Sequence, residues 1–134
     1  MIQEYLDQNG WHLFVDLPPK DITLELCEMA IEKNPRLFKF MSPSMKTYAL
    51  CLRTCQLNGD MLEFVPDEWK TEEMCMTAIE NFHWSTNLYF VPEDKKTFAM
   101  CKLSVQQHGT FALKFVPERF LTDELLKIIK KSKN

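Results

Sequence analysis

A short apolar motif that ends in proline recurs along the chain at intervals of about 25 residues. Residues 61–66, 87–92 and 112–117 share the pattern Leu-x-Phe-Val-Pro, and residues 13–18 and 37–42 are looser copies. A threonine follows each copy, five residues after the proline position: Thr23, Thr47, Thr71, Thr97 and Thr122. Such a repeat restricts the chain to folds in which small units stack on their neighbours, because one unit cannot bury its apolar face alone.

Each of these threonines predicts the start of an α-helix. The residues three, four, seven and eight positions later are mostly apolar or small, which is the spacing of one helix face. In the unit that starts at Thr47, these positions hold Leu50, Cys51, Thr54 and Cys55. The hydroxyl predicts an N-cap, and Asn58-Gly59 predicts the helix end. We therefore expect a helix of about 11 residues in each unit.

The Leu-x-Phe-Val-Pro motif fits either a short strand or a short helix ended by proline. We favour the helix, because the Asn or Cys ladder of leucine-rich repeats is missing. The sequence thus predicts an all-α fold: a short α-solenoid of about five 25-residue two-helix repeats, each with a short helix, a proline turn and a longer helix. One domain is expected over residues 1–134, with approximate units at 1–10 (partial), 11–35, 36–59, 60–83, 84–109 and 110–134. The last helix, at residues 121–131, is predicted to cap the stack with lysines.

The stretch from Asn58 to Asn81 resembles the unit of the DUF4116 repeat family, in which an Asn-Gly pair and a short apolar segment precede a capped helix. The family occurs in bacteria and protists, often in several copies per chain. The resemblance implies stacked helical repeats and transfers no activity. Some proteins with such repeats look like effectors injected by intracellular bacteria, which suggests an alternative setting.

Composition excludes several classes of protein. The 46% hydrophobic and 26% charged residues are typical of a folded soluble domain. No apolar window is long enough to span a membrane, and no signal peptide is visible. The net charge of −3 and the absence of a basic run argue against a nucleic-acid partner. We expect neither a membrane nor a nucleic acid as partner.

The five cysteines are predicted to be core residues. Four of them occupy the same repeat position, and Cys55 stands where other units have Ile or Val. Buried free cysteine behaves as a small hydrophobe, and no Cys-x2-Cys pair is present. We expect no metal site and no disulfide, and a reducing cytoplasm as the compartment, or the host cytoplasm if the chain is a secreted effector.

No catalytic fingerprint occurs in the sequence, so no catalytic or cofactor-binding residue is predicted. The first hypothesis is a protein–protein interaction module with no catalysis of its own, a monomer or weak homodimer that binds another protein. Its candidate contact residues break the repeat pattern: Trp69, Phe82, His83, Trp84 and Phe120. The other interpretation of the aromatic residues is that each packs against the next unit and seals the core. The alternative is an enzyme or toxin-like bacterial effector with a site on the turn surface near His83 and His108.

Overall fold

The computed structural model of the protein describes residues 17–81 and 87–132. Within these ranges the chain forms α-helices and 3₁₀ helices and no strand, which confirms the all-α prediction. The α-helices are α1 (Leu24–Lys33), α2 (Tyr48–Leu57), α3 (Glu72–Glu80), α4 (Phe98–His108) and α5 (Asp123–Ser132). In the described ranges, no helix is both long and apolar enough to span a bilayer.

Two kinds of 3₁₀ helix connect the α-helices. The long 3₁₀ helices carry the repeated motif, at Pro35–Phe40, Gly59–Phe64, Asn87–Phe90 and Gly109–Phe115. The proline turns are single-turn 3₁₀ helices that begin at a proline or directly after one, at Pro19–Asp21, Pro43–Met45, Asp67–Trp69, Glu93–Lys95 and Glu118–Phe120. The helical interpretation of the motif is therefore correct, and the helix is of the tighter 3₁₀ type that proteins use in short pieces.

The same order of elements recurs from one capping threonine to the next. We define the units accordingly as residues 23–46 (unit A), 47–70 (unit B), 71–96 (unit C), 97–121 (unit D) and 122–132 (unit E). Each α-helix contacts the next α-helix, and each long 3₁₀ helix contacts the next long 3₁₀ helix and the α-helices on both sides. The solenoid arrangement of the whole chain remains a prediction.

All five threonines cap their helices. Each hydroxyl oxygen accepts a hydrogen bond from the backbone N–H three residues later, at 3.1 to 3.4 Å. The bond satisfies an amide that the first helical turn leaves without a partner. The helix starts predicted from sequence are thus confirmed.

The predicted apolar face of each helix forms the core. In α1 to α4, the residues three, four, seven and eight positions after the threonine are all buried: Leu26, Cys27, Ala30, Ile31; Leu50, Cys51, Thr54, Cys55; Met74, Cys75, Ala78, Ile79; Met100, Cys101, Ser104 and Val105. From the repeated motif, the core receives the leucines Leu62 and Leu88 and the valines Val65, Val91 and Val116. The motif phenylalanines Phe64, Phe90 and Phe115 are only partly buried against it.

All five cysteines are fully buried, as the sequence predicts. Burial removes water from the thiolate and so raises the pKa of each thiol from 9.0 to about 11, and that of Cys55 to about 12. A thiol with such a pKa stays protonated at neutral pH and is a poor nucleophile.

Candidate protein-contact surface

Trp69 ends the proline turn Asp67–Trp69 and is half-buried. Its Nε1–H donates a hydrogen bond to the backbone oxygen of Lys46, at 2.8 Å, and its ring meets that of Tyr48 edge to face, with centroids 6.0 Å apart. The proline turn that ends unit B therefore lies against the junction of units A and B. This geometry gives Trp69 a role in holding neighbouring units together, and its binding of a partner stays a prediction.

Phe120 occupies the equivalent position in unit D. Its ring meets that of Phe98 edge to face at 6.2 Å, as Trp69 meets Tyr48. Arg119 lies over the Phe120 ring at 4.6 Å and donates from Nη2 to the backbone oxygens of Glu93 and Lys96. Arg119 thus reaches the Lys96 carbonyl, the counterpart of the Lys46 carbonyl that Trp69 reaches. Phe120 has the same stacking role, and its partner binding also stays a prediction.

The other candidate contact residues, Phe82, His83 and Trp84, lie outside the described residues. His108 ends α4 and is partly buried. Burial lowers the pKa of His108 below its ordinary 6.5, so the imidazole is neutral at pH 7. Its Nε2 is buried and has no hydrogen-bond partner within the described ranges. The site suggested near His83 and His108 remains a prediction.

Tyr89 is an exposed aromatic residue that sequence reasoning missed. Its side chain is 65% exposed, and its ring contacts Phe90 and Phe115 edge to face, with centroid distances of 5.1 and 5.7 Å. A groove of about 470 Å³ runs beside it, lined by Tyr89, Val91, Pro92, Glu93, Lys96, Lys114, Phe115 and Val116. We call these eight residues the Tyr89 surface. A signal was present in the sequence, since the motif copies at 37–42, 61–66 and 112–117 hold Lys or Glu at the position of Tyr89.

A set of buried lysines was also missed. Lys46, Lys70 and Lys96 each stand one residue before a capping threonine, and each is less than a tenth exposed. The ammonium groups of Lys46 and Lys96 donate to the backbone oxygens of Phe64 and Phe115, at 2.8 and 2.7 Å. Because these oxygens belong to the next long 3₁₀ helix, the lysines join adjacent units. Their recurrence at one repeat position was the signal.

Burial has an electrostatic consequence for Lys46. It lowers the pKa of this ammonium group, although the nearby thiol of Cys51 acts in the opposite direction. Lys70 and Lys96 form ion pairs with Asp67 and Glu93 of their own proline turns, at 3.2 and 2.9 Å. As for metal binding, the described ranges contain no group of three or more His, Cys, Asp or Glu residues that could hold an ion.

Residues 23–70 match the family model of a domain of unknown function, DUF4116. The chain contains a DUF4116 domain. This confirms the family resemblance seen in the sequence. The DUF4116 match starts at the capping residue Thr23 and ends at Lys70, so it covers units A and B. Units C and D, beyond the match, have the same order of described elements. No similar curated protein and no similar solved structure was found.

Proposed function

We propose that this DUF4116 protein is a protein–protein interaction module of stacked helical repeats, without catalysis of its own, and that its contact surface is the Tyr89 surface. The observation that carries the proposal is the exposed Tyr89 ring, held by Phe90 and Phe115 beside an open groove. Tyrosine is enriched among the residues that dominate binding energy at protein interfaces.

The surroundings of Tyr89 resemble the anatomy of a protein interface. Two ring contacts limit the motion of the Tyr89 side chain, so that little conformational entropy is lost on binding. Lys114 and Glu93 are exposed beside the groove and supply a polar rim, and the buried Lys96 pairs with Glu93. An aromatic centre with a polar rim is the usual composition of such contacts.

The candidate contact residues chosen from sequence extend this proposal. Phe82, His83 and Trp84 lie five to seven residues before Tyr89 in the chain, and we propose that they contribute to the same contact. We propose that Trp69 and Phe120 contact the partner outside the Tyr89 surface, through the exposed parts of their rings. In this proposal the partner is another protein, the chain is a monomer or weak homodimer, and the setting is a reducing cytoplasm.

The test is capture of a partner from a lysate of the source organism by the immobilised chain. Tyr89→Ala is expected to weaken capture by at least about 10-fold, because it removes the ring at the centre of the surface. Phe111→Ala is the matched control, since Phe111 is 70% exposed and does not line the groove. Both variants should melt like the wild type. Equal capture by the Tyr89→Ala and wild-type chains would reject this surface.

The second candidate function is an enzyme or toxin-like bacterial effector with a site near His83 and His108. The buried Nε2 of His108, unpartnered in the described ranges, favours it, because a neutral imidazole is able to accept a proton. The test is growth of host cells that produce the chain. A growth defect that His108→Gln relieves, in a variant with wild-type circular dichroism, would favour the effector over the binding module.

A further inference from the structure

Where units D and E meet, apolar residues are exposed at repeat positions that are buried in units A to C. Leu126 stands four residues after its threonine and is 41% exposed, whereas the cysteines at this position in units A to D are fully buried. Leu121 stands directly before its threonine and is also 41% exposed, whereas the equivalent lysines are buried. The polar cap predicted for the last helix thus carries an apolar patch.

The exposure follows from the packing of α5. Among the described elements, α2, α3 and α4 each contact an α-helix and a long 3₁₀ helix on both sides, whereas the main contacts of α5 are with α4 and Gly109–Phe115. Elsewhere in the molecule, the elements that pack against the α-helices are themselves helical. In unit A, for example, the covering segment is fixed by the hydrogen bond from Lys46 to Phe64.

A groove of about 510 Å³ lies between α5 and the long 3₁₀ helix Gly109–Phe115. Leu113, Leu126 and Ile129 give it an apolar floor, and Lys127 and Lys130 are exposed along it. Thr110 and Asp123 complete the lining, so the groove carries two positive charges and one negative charge. We call these seven residues the α5 groove.

We propose that the α5 groove binds an amphipathic helical segment of a partner protein that carries acidic side chains. Its apolar face covers Leu113 and Leu126, and its carboxylates pair with Lys127 and Lys130. This inference rests on the proposed function as a protein-binding module, and it adds a second surface and the chemistry of the occupant. Binding of an amphipathic helix in an apolar groove is a common mode of peptide recognition.

The position of Lys130 distinguishes the acidic partner from a further unit of this chain's own kind. Lys130 stands eight residues after the threonine, where units A to D have buried Ile31, Cys55, Ile79 and Val105. A covering unit like those inside the molecule would bury the ammonium group of Lys130, which is costly without an opposite charge. A carboxylate on the occupant supplies that charge. The α5 groove is concave and includes the carboxylate of Asp123. Both features disfavour an anionic lipid surface as the occupant, because a lipid surface binds an apolar face that projects from the protein.

The experiment measures binding of the full chain to a fluorescent designed peptide of about 18 residues, long enough to form a helix. Its leucines follow helical spacing and its other residues are glutamate and alanine; a twin peptide has lysine in place of glutamate. We expect the acidic peptide to bind at least about 10-fold more tightly than its twin. Leu126→Glu should weaken binding of the acidic peptide by about 10-fold or more.

Two further variants control the result. Lys127→Glu/Lys130→Glu should reverse the preference, so that the twin peptide binds more tightly. Leu24→Glu changes an exposed leucine (38%) of α1, outside the α5 groove, and should bind the acidic peptide like the wild type. Circular dichroism of each variant, matching that of the wild type, ensures that a loss of binding is not a loss of fold.

Several outcomes would overturn the proposal: no binding of either peptide, equal binding of both, or wild-type affinity in Leu126→Glu. Binding to vesicles of phosphatidylcholine and phosphatidylserine without peptide binding would assign the groove to a membrane surface. Self-association lost in Leu126→Glu, again without peptide binding, would assign it to a second copy. Tyr89→Ala should leave peptide binding unchanged, so failure of the α5 groove and failure of the Tyr89 surface are separable.

Discussion

At the scale of single residues, two glycines at one repeat position are needed for different reasons. The backbone N–H of Gly59 donates to the oxygen of Asn81 at 3.0 Å, and a Cβ at Gly59 would overlap the backbone oxygen of Ala78. Gly109 has no neighbour in that direction but has φ +61° and ψ −137°, a region that only glycine adopts readily. One glycine permits close approach, and the other permits a backbone conformation.

The two glycines should therefore respond differently to alanine. Gly59→Ala forces a Cβ against backbone of α3, which cannot move as a side chain does, and we expect a loss of about 3 kcal/mol in the free energy of unfolding. Gly109→Ala should cost about 1 kcal/mol through backbone strain alone. Urea denaturation followed by circular dichroism measures both. A smaller loss for Gly59→Ala than for Gly109→Ala would contradict the close contact.

At the scale of elements, the proline turns join the units. Trp69 and Arg119, on proline turns of different units, reach backbone carbonyls of the preceding proline-turn region, at Lys46 and Lys96. Tyr48 adds hydrogen bonds in the same region, to the hydroxyl of Thr71 and the carboxylate of Glu73. Several polar contacts between units thus lie at the turns, and the α-helices add two ion pairs between units, Glu32 with Arg53 and Glu124 with Lys102.

This arrangement predicts how Trp69 variants behave. Trp69→Ala removes a half-buried ring and its hydrogen bond, and we expect a loss of about 2 to 3 kcal/mol in the free energy of unfolding. Trp69→Phe keeps most of the ring contact with Tyr48 and should cost about 1 kcal/mol. Chemical denaturation tests both, with Tyr89→Ala as an exposed control expected to stay within about 0.5 kcal/mol of wild type. Wild-type stability in Trp69→Ala would mean that the ring serves only an external partner.

The sequence predicted local features well and contacts between units poorly. Caps such as Thr47 and the buried face of α2 depend on residues three to eight positions away, so periodicity alone was enough. The sequence left open whether Trp69 binds a partner or packs against a neighbouring unit, because its hydrogen bond reaches back 23 residues, across a turn whose geometry no local pattern encodes. Tyr89 was missed because the copies of the motif were compared for the residues that they share. A residue that binds a partner has no reason to recur in every copy.

At the scale of the whole molecule, the buried thiols are spread over units A to D. Burial raises the pKa of each to about 11 or 12 in the folded protein, against 9.0 for a thiol exposed to water, as in the unfolded chain. Well below pH 9, the thiols are protonated in both the folded and the unfolded chain, so they do not change the free energy of unfolding. Between pH 9 and 11 the unfolded chain releases protons that the folded chain retains, so stability must fall as the pH rises.

We therefore expect the melting temperature to decrease steadily between pH 9 and pH 11. Each thiol contributes a slope of at most about 1.4 kcal/mol per pH unit to the free energy of unfolding. Cys55→Val, which introduces the residue that unit D has at this position, should make the decrease shallower. Differential scanning calorimetry at several pH values measures the effect, and recovery at pH 8 excludes chemical damage. A flat profile over this range would show that the thiols ionise without unfolding.

The hydrogen bonds that lysine and tryptophan side chains form between units have a consequence for the rate of folding. They join residues 18, 19 and 23 positions apart: Lys46 with Phe64, Lys96 with Phe115, and Trp69 with Lys46. Closing such short loops carries a small entropic penalty, and chains rich in near-neighbour contacts fold rapidly. Formation of one pair of units brings the next residues into reach, so ordering of this molecule can spread along the chain from any pair that forms first.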